Sequence, residues 1–494
     1  MQTKFPDNFL WGGATSDFQF EGGFGEGGRG LLTHDFLTDG NVDTPRRLTL
    51  KLADGTKSHV TKWDSIPEGA TVCLHEDEFY PSHHAVDFYH NYKEDIALLG
   101  EMGFKTFRFS ICWSRIFPTG EEAVPNEEGL KFYENVVDEC LKYNIEPLIT
   151  ICHDEMPAHI ANKYGGWYSR QLIDCYLKLS KALFERLGGK VKYWITFNEI
   201  NAVMGYPEMG MNSVEDGKRF QGVHHEFIAS ALTIKMGKEM MPDAQFGTMF
   251  ALSAFYPETC NPVDILAAMN SRRVKGLFYS DVMTRGYYPN YAIGLFEEKG
   301  ITIKKEPGDD EILKKYTLDY VAFSYYRSAV INEKSNINIL IDANPNPYLE
   351  TTPWGTSVDP LGLRYVLNEL YDRYQKPLFI VENGFGHMDE LDENGKIYDV
   401  ERMKYLADHI EQISNAINFD KIPVLGYTPW GPIDLVSLAT GEMTKRYGFI
   451  YTDMDNKGNG TKKRIKKASF DWYKKVIATN GEDLSYSKES LQMK

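Results

Sequence analysis

Apolar and polar residues along this chain fall into two alternating rhythms. Eight short, nearly continuous apolar runs stand at 9–15, 106–111, 146–151, 193–198, 246–252, 319–326, 377–383 and 424–430, the pattern of parallel strands covered on both faces. Between them lie stretches with near-3.6 spacing: 89–102, which sets Tyr92, Ile96 and Leu99 on one side, then 130–143 and 361–374. Strand, loop and amphipathic helix, repeated eight times, predict an α/β fold, a (β/α)8 TIM barrel. Such a barrel needs about 250 residues, so in a chain of 494 nearly half must lie in long βα-loops. Length alone, at about 100–200 residues per domain, suggests two to four domains. With no Gly- or Ser-rich linker and no repeat, the expectation is instead one barrel domain over 1–494. Residues 21–81, rich in glycine and charge and weakly periodic, read as a long first βα-loop, and loops of that length are usually functional.

Composition narrows the partners. The chain is 42% hydrophobic and 25% charged, a globular balance. Its 54 basic and 70 acidic side chains leave a net charge of −16, which argues against nucleic acid or anionic lipid. No apolar run approaches the ~20 residues that span a bilayer, and the first residues show no apolar signal segment. Six scattered cysteines without a C-x-x-C fit a reducing cytoplasm. Whether the chain forms a homo-oligomer is left open.

Several local motifs lose on context. Gly25-Glu-Gly-Gly-Arg-Gly30 matches G-x-G-x-x-G, but no strand runs directly into it and no helix opens on it. His83-His84 and His224-His225-Glu226 lack metal-ligand spacing, and no metal site is expected. Asp453-Met-Asp-Asn-Lys-Gly458 has Lys457 at a calcium-ligand position and Arg464 where a bidentate Glu belongs; it reads as a turn. The basic run 462–467 reads as a solvated stretch before a helix.

Side chains just past the C-terminal strand ends face the active site of such a barrel. Strand one delivers Gln19, strand two Arg108, strand three His153, strand four Asn198 and Glu199, strand six Tyr326, strand seven Glu382, strand eight Trp430. Two glutamates across a mouth suit glycosidic bond cleavage, in which one protonates the departing oxygen and the other stabilises or traps the oxocarbenium-like carbon. Asn198 is placed to donate to a sugar 2-hydroxyl. Arg108 and Tyr326 are expected to keep Glu382 ionised, and the charge of Glu382 to raise the pKa of Glu199.

These residues also carry a resemblance. Thr196-Phe-Asn-Glu199 and Ile380-Val-Glu-Asn-Gly384 resemble the acid/base and nucleophile signatures of glycoside hydrolase family 1. Phe9-Leu-Trp-Gly-Gly-Ala-Thr-Ser16 and Arg108-Phe-Ser-Ile-Cys-Trp-Ser-Arg-Ile-Phe-Pro118 are similar to its first- and second-strand motifs, and the likeness runs in order from Phe5 to Tyr473. The resemblance implies that Glu199 is the acid/base and Glu382 the nucleophile of a retaining hydrolase, that Gln19, His153, Asn198, Tyr326 and Trp430 hold the sugar, and that no cofactor is needed.

The eighth loop bears on the sugar. Members that cut neutral β-glucosides carry Glu-Trp where this chain has Ser437-Leu438. A carboxylate there would repel a phosphate on the sugar's 6-position, whereas a hydroxyl admits it. Lys445 and Tyr447 complete a plausible phosphate clamp, and the stretch resembles the 6-phospho-β-glucosidase branch. Two departures stand out: Ala439 replaces a serine usual in that branch, and Asp154 follows His153 where an aromatic is common. Trp354 is a candidate aglycone-stacking surface. The expected partner is a small phosphorylated β-glycoside. A hydrolase of neutral β-glycosides and a non-catalytic glycan-binding barrel are the alternatives.

Overall fold

The computed structural model describes residues 4–335 and 344–486. Its centre is eight parallel strands: β1 (Leu10–Ala14), β2 (Thr106–Ser110), β3 (Glu146–Cys152), β4 (Tyr193–Phe197), β5 (Gln245–Gly247 and Met249–Pro257), β6 (Val321–Ile331), β7 (Leu378–Glu382) and β8 (Val424–Tyr427). The hydrogen-bonded order runs from the first part of β5 through β4, β3, β2, β1, β8, β7 and β6 to its second part. Only Thr248 separates the two parts, so the sheet closes. The cylinder is tight at β1, where a Cβ on Gly12 would lie 1.9 Å from the carbonyl oxygen of Thr106.

Every expected strand is present, with shifted ends. β8 stops at Tyr427 rather than 430, because Trp430 donates its N–H to the carbonyl of Asn383 outside the regular ladder. β6 runs to Ile331, prolonged by pairing with β5 past a bulge between Tyr325 and Ser328. Inside the cylinder Leu148, Ile195, Met249, Ala322, Phe379 and Val381 form a plug separate from the main core. These are alternate positions, as the two-residue period of strands requires. The main core lies between strands and outer helices. Phe88–Met102 buries Phe88, Ile96, Leu99 and Met102 and ends at Gly103, at φ 89°, a left-handed stop that glycine adopts at little cost. The carboxylate of Asp359 accepts from the N–H of Gly362 and caps Pro360–Tyr374.

The first βα-loop is more ordered than its weak periodicity suggests. It holds a three-stranded antiparallel sheet (Leu48–Lys51, Lys57–Val60, Thr71–Val72) and is pinned by the Arg29–Asp35 ion pair at 2.8 Å. The Gly25–Gly30 stretch follows the short helix Asp17–Phe20 and leads into a chain segment tied to Ser114, with no helix opening on it. His83 bonds the carbonyl of Asp35, His224 bonds Asp309, and His225 bonds the carbonyl of Trp167. Asp455 and Gly458 close a turn within the hairpin of Ile450–Thr452 and Arg464–Lys466. The basic run is a correction: Arg464 is buried against Asp95 at 2.8 Å, and Lys467 is buried between Asp389 and Asp434. Acids from elements distant in sequence meet these bases, which local charge counting does not reveal. Among the described residues no helix is long and apolar enough to cross a membrane.

Candidate active site

The C-terminal strand ends open into a cavity of about 430 Å³ lined by Gln19, His153, Asn198, Glu199, Tyr326, Glu382, Trp430, Ser437, Lys445 and Tyr447, among others. Two expected site residues are placed differently. Arg108 is fully buried beneath the floor rather than on the wall, and acts on Glu382, the partner expected for it. Trp354 is not on the wall; the Lys445 ammonium lies 5.3 Å from its ring centroid, so its face is turned to a cation.

Glu382 ends β7. Arg108 donates to its Oε1 at 2.5 Å and Tyr326 to its Oε2 at 2.9 Å. The same guanidinium donates to the Asn198 side-chain oxygen at 2.8 Å and to Thr150 at 2.9 Å. Arg108 thus ties β7 to the end of β4. Burial outweighs the opposing pull of Arg108 and Tyr326 and leaves the Glu382 carboxyl above its ordinary range, so these partners limit the rise expected of a buried acid rather than lower it outright. Losing one partner of so buried a pair typically costs about 3–5 kcal/mol.

Glu199 follows β4 at φ +26°, a backbone conformation that a side chain resists and that is typical of constrained functional positions. Its Oε1 accepts from Ser324 at 2.5 Å. Burial, and after it the charge of Glu382, pushes its pKa up to about 7. Desolvation therefore outranks the carboxylate repulsion expected from the sequence. One glutamate sits beside a cation and a phenol, the other beside a hydroxyl: the first is suited to bear charge, the second to hold a proton near neutrality.

Around the pair, His153 is held neutral by burial and by Arg108, and its ring stacks on Trp430 at 5.9 Å. Gln19 donates to the carbonyl of Val436 at 2.6 Å, tying the first and eighth loops together. Asp154 reaches the site through Asn198, whose amide donates to it at 3.0 Å. Asp154 stands at φ +71°, and burial raises its pKa well above the ordinary value.

The eighth loop folds over the other end of the cavity. The backbone N–H of Ser437 donates to the carbonyl of Glu442 at 2.9 Å, and Arg46 from the first loop donates to the carbonyl of Leu438 at 3.1 Å. Lys445 and Arg446 part company. Arg446 is buried on Asp434 at 3.0 Å, whereas Lys445 lines the cavity, its pKa lowered by burial and by Arg327. Gly386 permits this, since a Cβ there would meet the lysine stem at 3.0 Å.

Ser324 and Arg327, both on the wall, were not anticipated. Ser324 lies two residues before Tyr326 on one strand, so the two-residue period was the available signal. Lys62, Trp63 and Lys275 also line the cavity, from a loop and from a π-helical turn at Arg273–Leu277, with no strand-end signal to mark them.

The model of glycosyl hydrolase family 1 matches residues 1–54 and 51–482. The chain is 50% identical over 491 residues to the 6-phospho-beta-glucosidase AscB of Escherichia coli, covering 97% of this chain and 99% of that protein. It is 48% identical over 500 residues to the aryl-phospho-beta-D-glucosidase BglA of Bacillus subtilis, covering 97% and 100%. The family 1 β-glucosidase of Thermotoga maritima superposes with a TM-score of 0.80 at 29% identity, covering 97% and 98% of the two chains. On motif order, barrel and full-length match together, this chain belongs to glycosyl hydrolase family 1.

Proposed function

We propose that the protein is a retaining 6-phospho-β-glucosidase, acting on disaccharide or aryl β-glucoside phosphates and releasing glucose 6-phosphate. The observation that carries this reading is that Ser437, Lys445 and Tyr447 line the same cavity as the two glutamates, whose carboxylates are the only ones among its described lining residues. A phosphate dianion there meets a cation and hydroxyls, with Glu442 close enough for its charge to act on Lys445 but not itself on the cavity wall. The names and high identity of the two bacterial relatives support it.

In the reaction Glu382 attacks the anomeric carbon as Glu199 gives its proton to the departing oxygen, and the C–O bond breaks. Water, deprotonated by Glu199, then cleaves the glycosyl ester, restoring both carboxyl groups and the original configuration. Asn198, held between Arg108 and Asp154, presents its amide to the sugar; Gln19, His153 and Trp430 orient the ring. Such a substrate, a phosphorylated sugar, accords with a cytoplasmic location.

The test compares kcat/KM for p-nitrophenyl β-glucoside and its 6-phosphate, in the wild type and in Lys445→Ala. The phosphorylated substrate should be preferred. A charge-assisted hydrogen bond of about 1.5–3 kcal/mol predicts that Lys445→Ala raises its KM by roughly ten- to a hundredfold and leaves the neutral substrate nearly unchanged. Preference for the neutral compound would defeat the proposal.

A further inference from the structure

The small sheet of the first loop gathers side chains for which the reaction has no use. His59 stands on Lys57–Val60 directly opposite Thr49 of Leu48–Lys51. His75 and Glu78 follow Thr71–Val72 in a tight turn, where the N–H of Glu78 returns to the carbonyl of His75 at 3.2 Å. Among the described residues, His59, His75 and Glu78 are the one group of three histidine, cysteine or acidic side chains whose ligating atoms all lie within 4.8 Å of one another. The His59 Nε2 is 2.7 Å from the Glu78 Oε1. His75 is buried and gives its Nε2–H to the carbonyl of Leu50 at 3.0 Å. A carbonyl only accepts, so neutral His75 carries its proton on Nε2 and its lone pair on Nδ1. That is how a metal-binding imidazole is held, its second nitrogen donating to a carbonyl that fixes ring and tautomer. The backbone is held as well. The N–H of His75 donates to the Tyr80 hydroxyl at 2.8 Å, and that hydroxyl donates to Thr49 at 3.0 Å, on the strand opposite His59.

We propose that His59, His75 and Glu78 form a binding site for one zinc ion or a similar divalent transition metal. Two imidazole nitrogens and a carboxylate oxygen are donors such an ion takes, whereas calcium and magnesium prefer oxygen alone. A water completes the four-coordinate shell. On binding, the His59 proton moves to Nδ1, and Nε2 turns its lone pair to the ion in place of the hydrogen bond to Glu78. One cation competes. Arg47 contacts the Glu78 Oε1 at 3.3 Å, but its side chain is 42% exposed, and an ion pair so exposed holds little, so Arg47 gives way. None of the three ligands lines the active cavity, and the ion is structural. It clips Lys57–Val60 to the turn after Thr71–Val72 and braces the segment that carries Lys62 and Trp63 to the cavity wall. The sequence hides the site, because His59 reaches His75 and Glu78 only across the folded sheet. The proposal is independent of which sugar the enzyme cleaves.

The test titrates zinc chloride into the full-length protein, stripped with chelator and dialysed, by calorimetry, and follows thermal unfolding with and without the ion. Wild type is compared with His59→Gln and Arg47→Ala, both at partly exposed side chains whose replacement leaves the fold intact. Wild type should bind one ion per chain. His59→Gln should raise Kd by at least about tenfold, the loss that removing even an outer partner of a ligand causes. Arg47→Ala, freed of the competing cation, should lower Kd by about two- to fivefold. Zinc should raise the Tm of wild type and Arg47→Ala, chelator should reverse the rise, and His59→Gln at the same zinc concentration should show little of it. Equal affinity in wild type and His59→Gln would mean adventitious zinc elsewhere on the surface and would overturn the proposal. So would a wild type that binds no zinc, or an Arg47→Ala variant that binds it more weakly than wild type.

Discussion

The two halves of the cavity are built by opposite means. The half formed by β7, β8 and the eighth loop is polar and tied together: Arg108 holds Glu382 and Asn198 at once, Gln19 anchors the loop backbone, and Arg446 and Lys467 lock that loop to buried aspartates. The half formed by β4, β5 and the first loop has a lone serine on its glutamate, and its wall mixes the apolar Ala202, Leu252, Phe255 and Trp63 with Ser253, Lys62 and Lys275. Fixed donors discriminate sharply between ligands, because an analogue lacking a partner strands a buried polar group. Apolar walls discriminate weakly. The contrast assigns strict recognition to one end of the substrate and latitude to the other.

The largest effect should come from exchanging the glutamates. Glu382→Gln removes the nucleophile and should reduce kcat by about ten-thousandfold or more for every substrate. Glu199→Gln should cost about a hundred- to ten-thousandfold with poor leaving groups and much less with a dinitrophenolate, which departs unprotonated. Steady-state rates over a series of aryl leaving groups check this. A loss under Glu199→Gln that ignores leaving-group acidity would erase the division between the halves.

A smaller effect concerns protons. With Glu199 at a pKa of about 7, kcat/KM should fall as pH rises through that value, and Ser324→Ala, which deletes the hydrogen bond favouring the ionised form, should move the limb to higher pH. The same raised pKa bears on stability. A carboxyl whose folded-state pKa lies above its unfolded value of 4.5 contributes fully below pH 4.5, and that contribution is lost as pH rises through 7. At about 1.4 kcal/mol per unit the loss is about 3 kcal/mol, so the Tm of Glu199→Gln should gain on that of the wild type between pH 5 and pH 8. An unchanged gap would mean that Glu199 is better solvated than its burial implies.

The barrel was legible because parallel strands buried on both faces read as apolar runs. Strand-end residues followed from its geometry: Gln19, His153, Asn198, Glu199, Tyr326, Glu382 and Trp430 all reach one cavity. The first-loop wall was not legible. Trp63 arrives on a loop more than forty residues past β1, behind a small sheet whose four-residue strands Leu48–Lys51 and Lys57–Val60 carry lysines at their ends and leave too short a period to detect. In the sequence Trp354 stands out only by its aromatic character, and packing turns its face to Lys445. Charge runs misled for a related reason, since Arg464 and Lys467 meet their acids only through the fold.

The smallest effect isolates one hydroxyl. Ala439 lines the cavity next to Leu438, whose carbonyl Arg46 holds, so its backbone is fixed and a serine there adds an oxygen without moving the loop. If the polar half binds phosphate, Ala439→Ser supplies one more donor to a charged group, and a bond at the lower end of the about 1.5–3 kcal/mol range for such contacts lowers KM for the 6-phosphorylated substrate by about tenfold. The neutral glucoside, with only a hydroxyl at that position, should change little, because its hydroxyl exchanges one water contact for one protein contact. KM for both substrates, measured with kcat, separates the cases. A parallel change in both would mean that the side chain at 439 adjusts loop packing, and no change in either would place the anion on Ser437, Lys445 and Tyr447 alone.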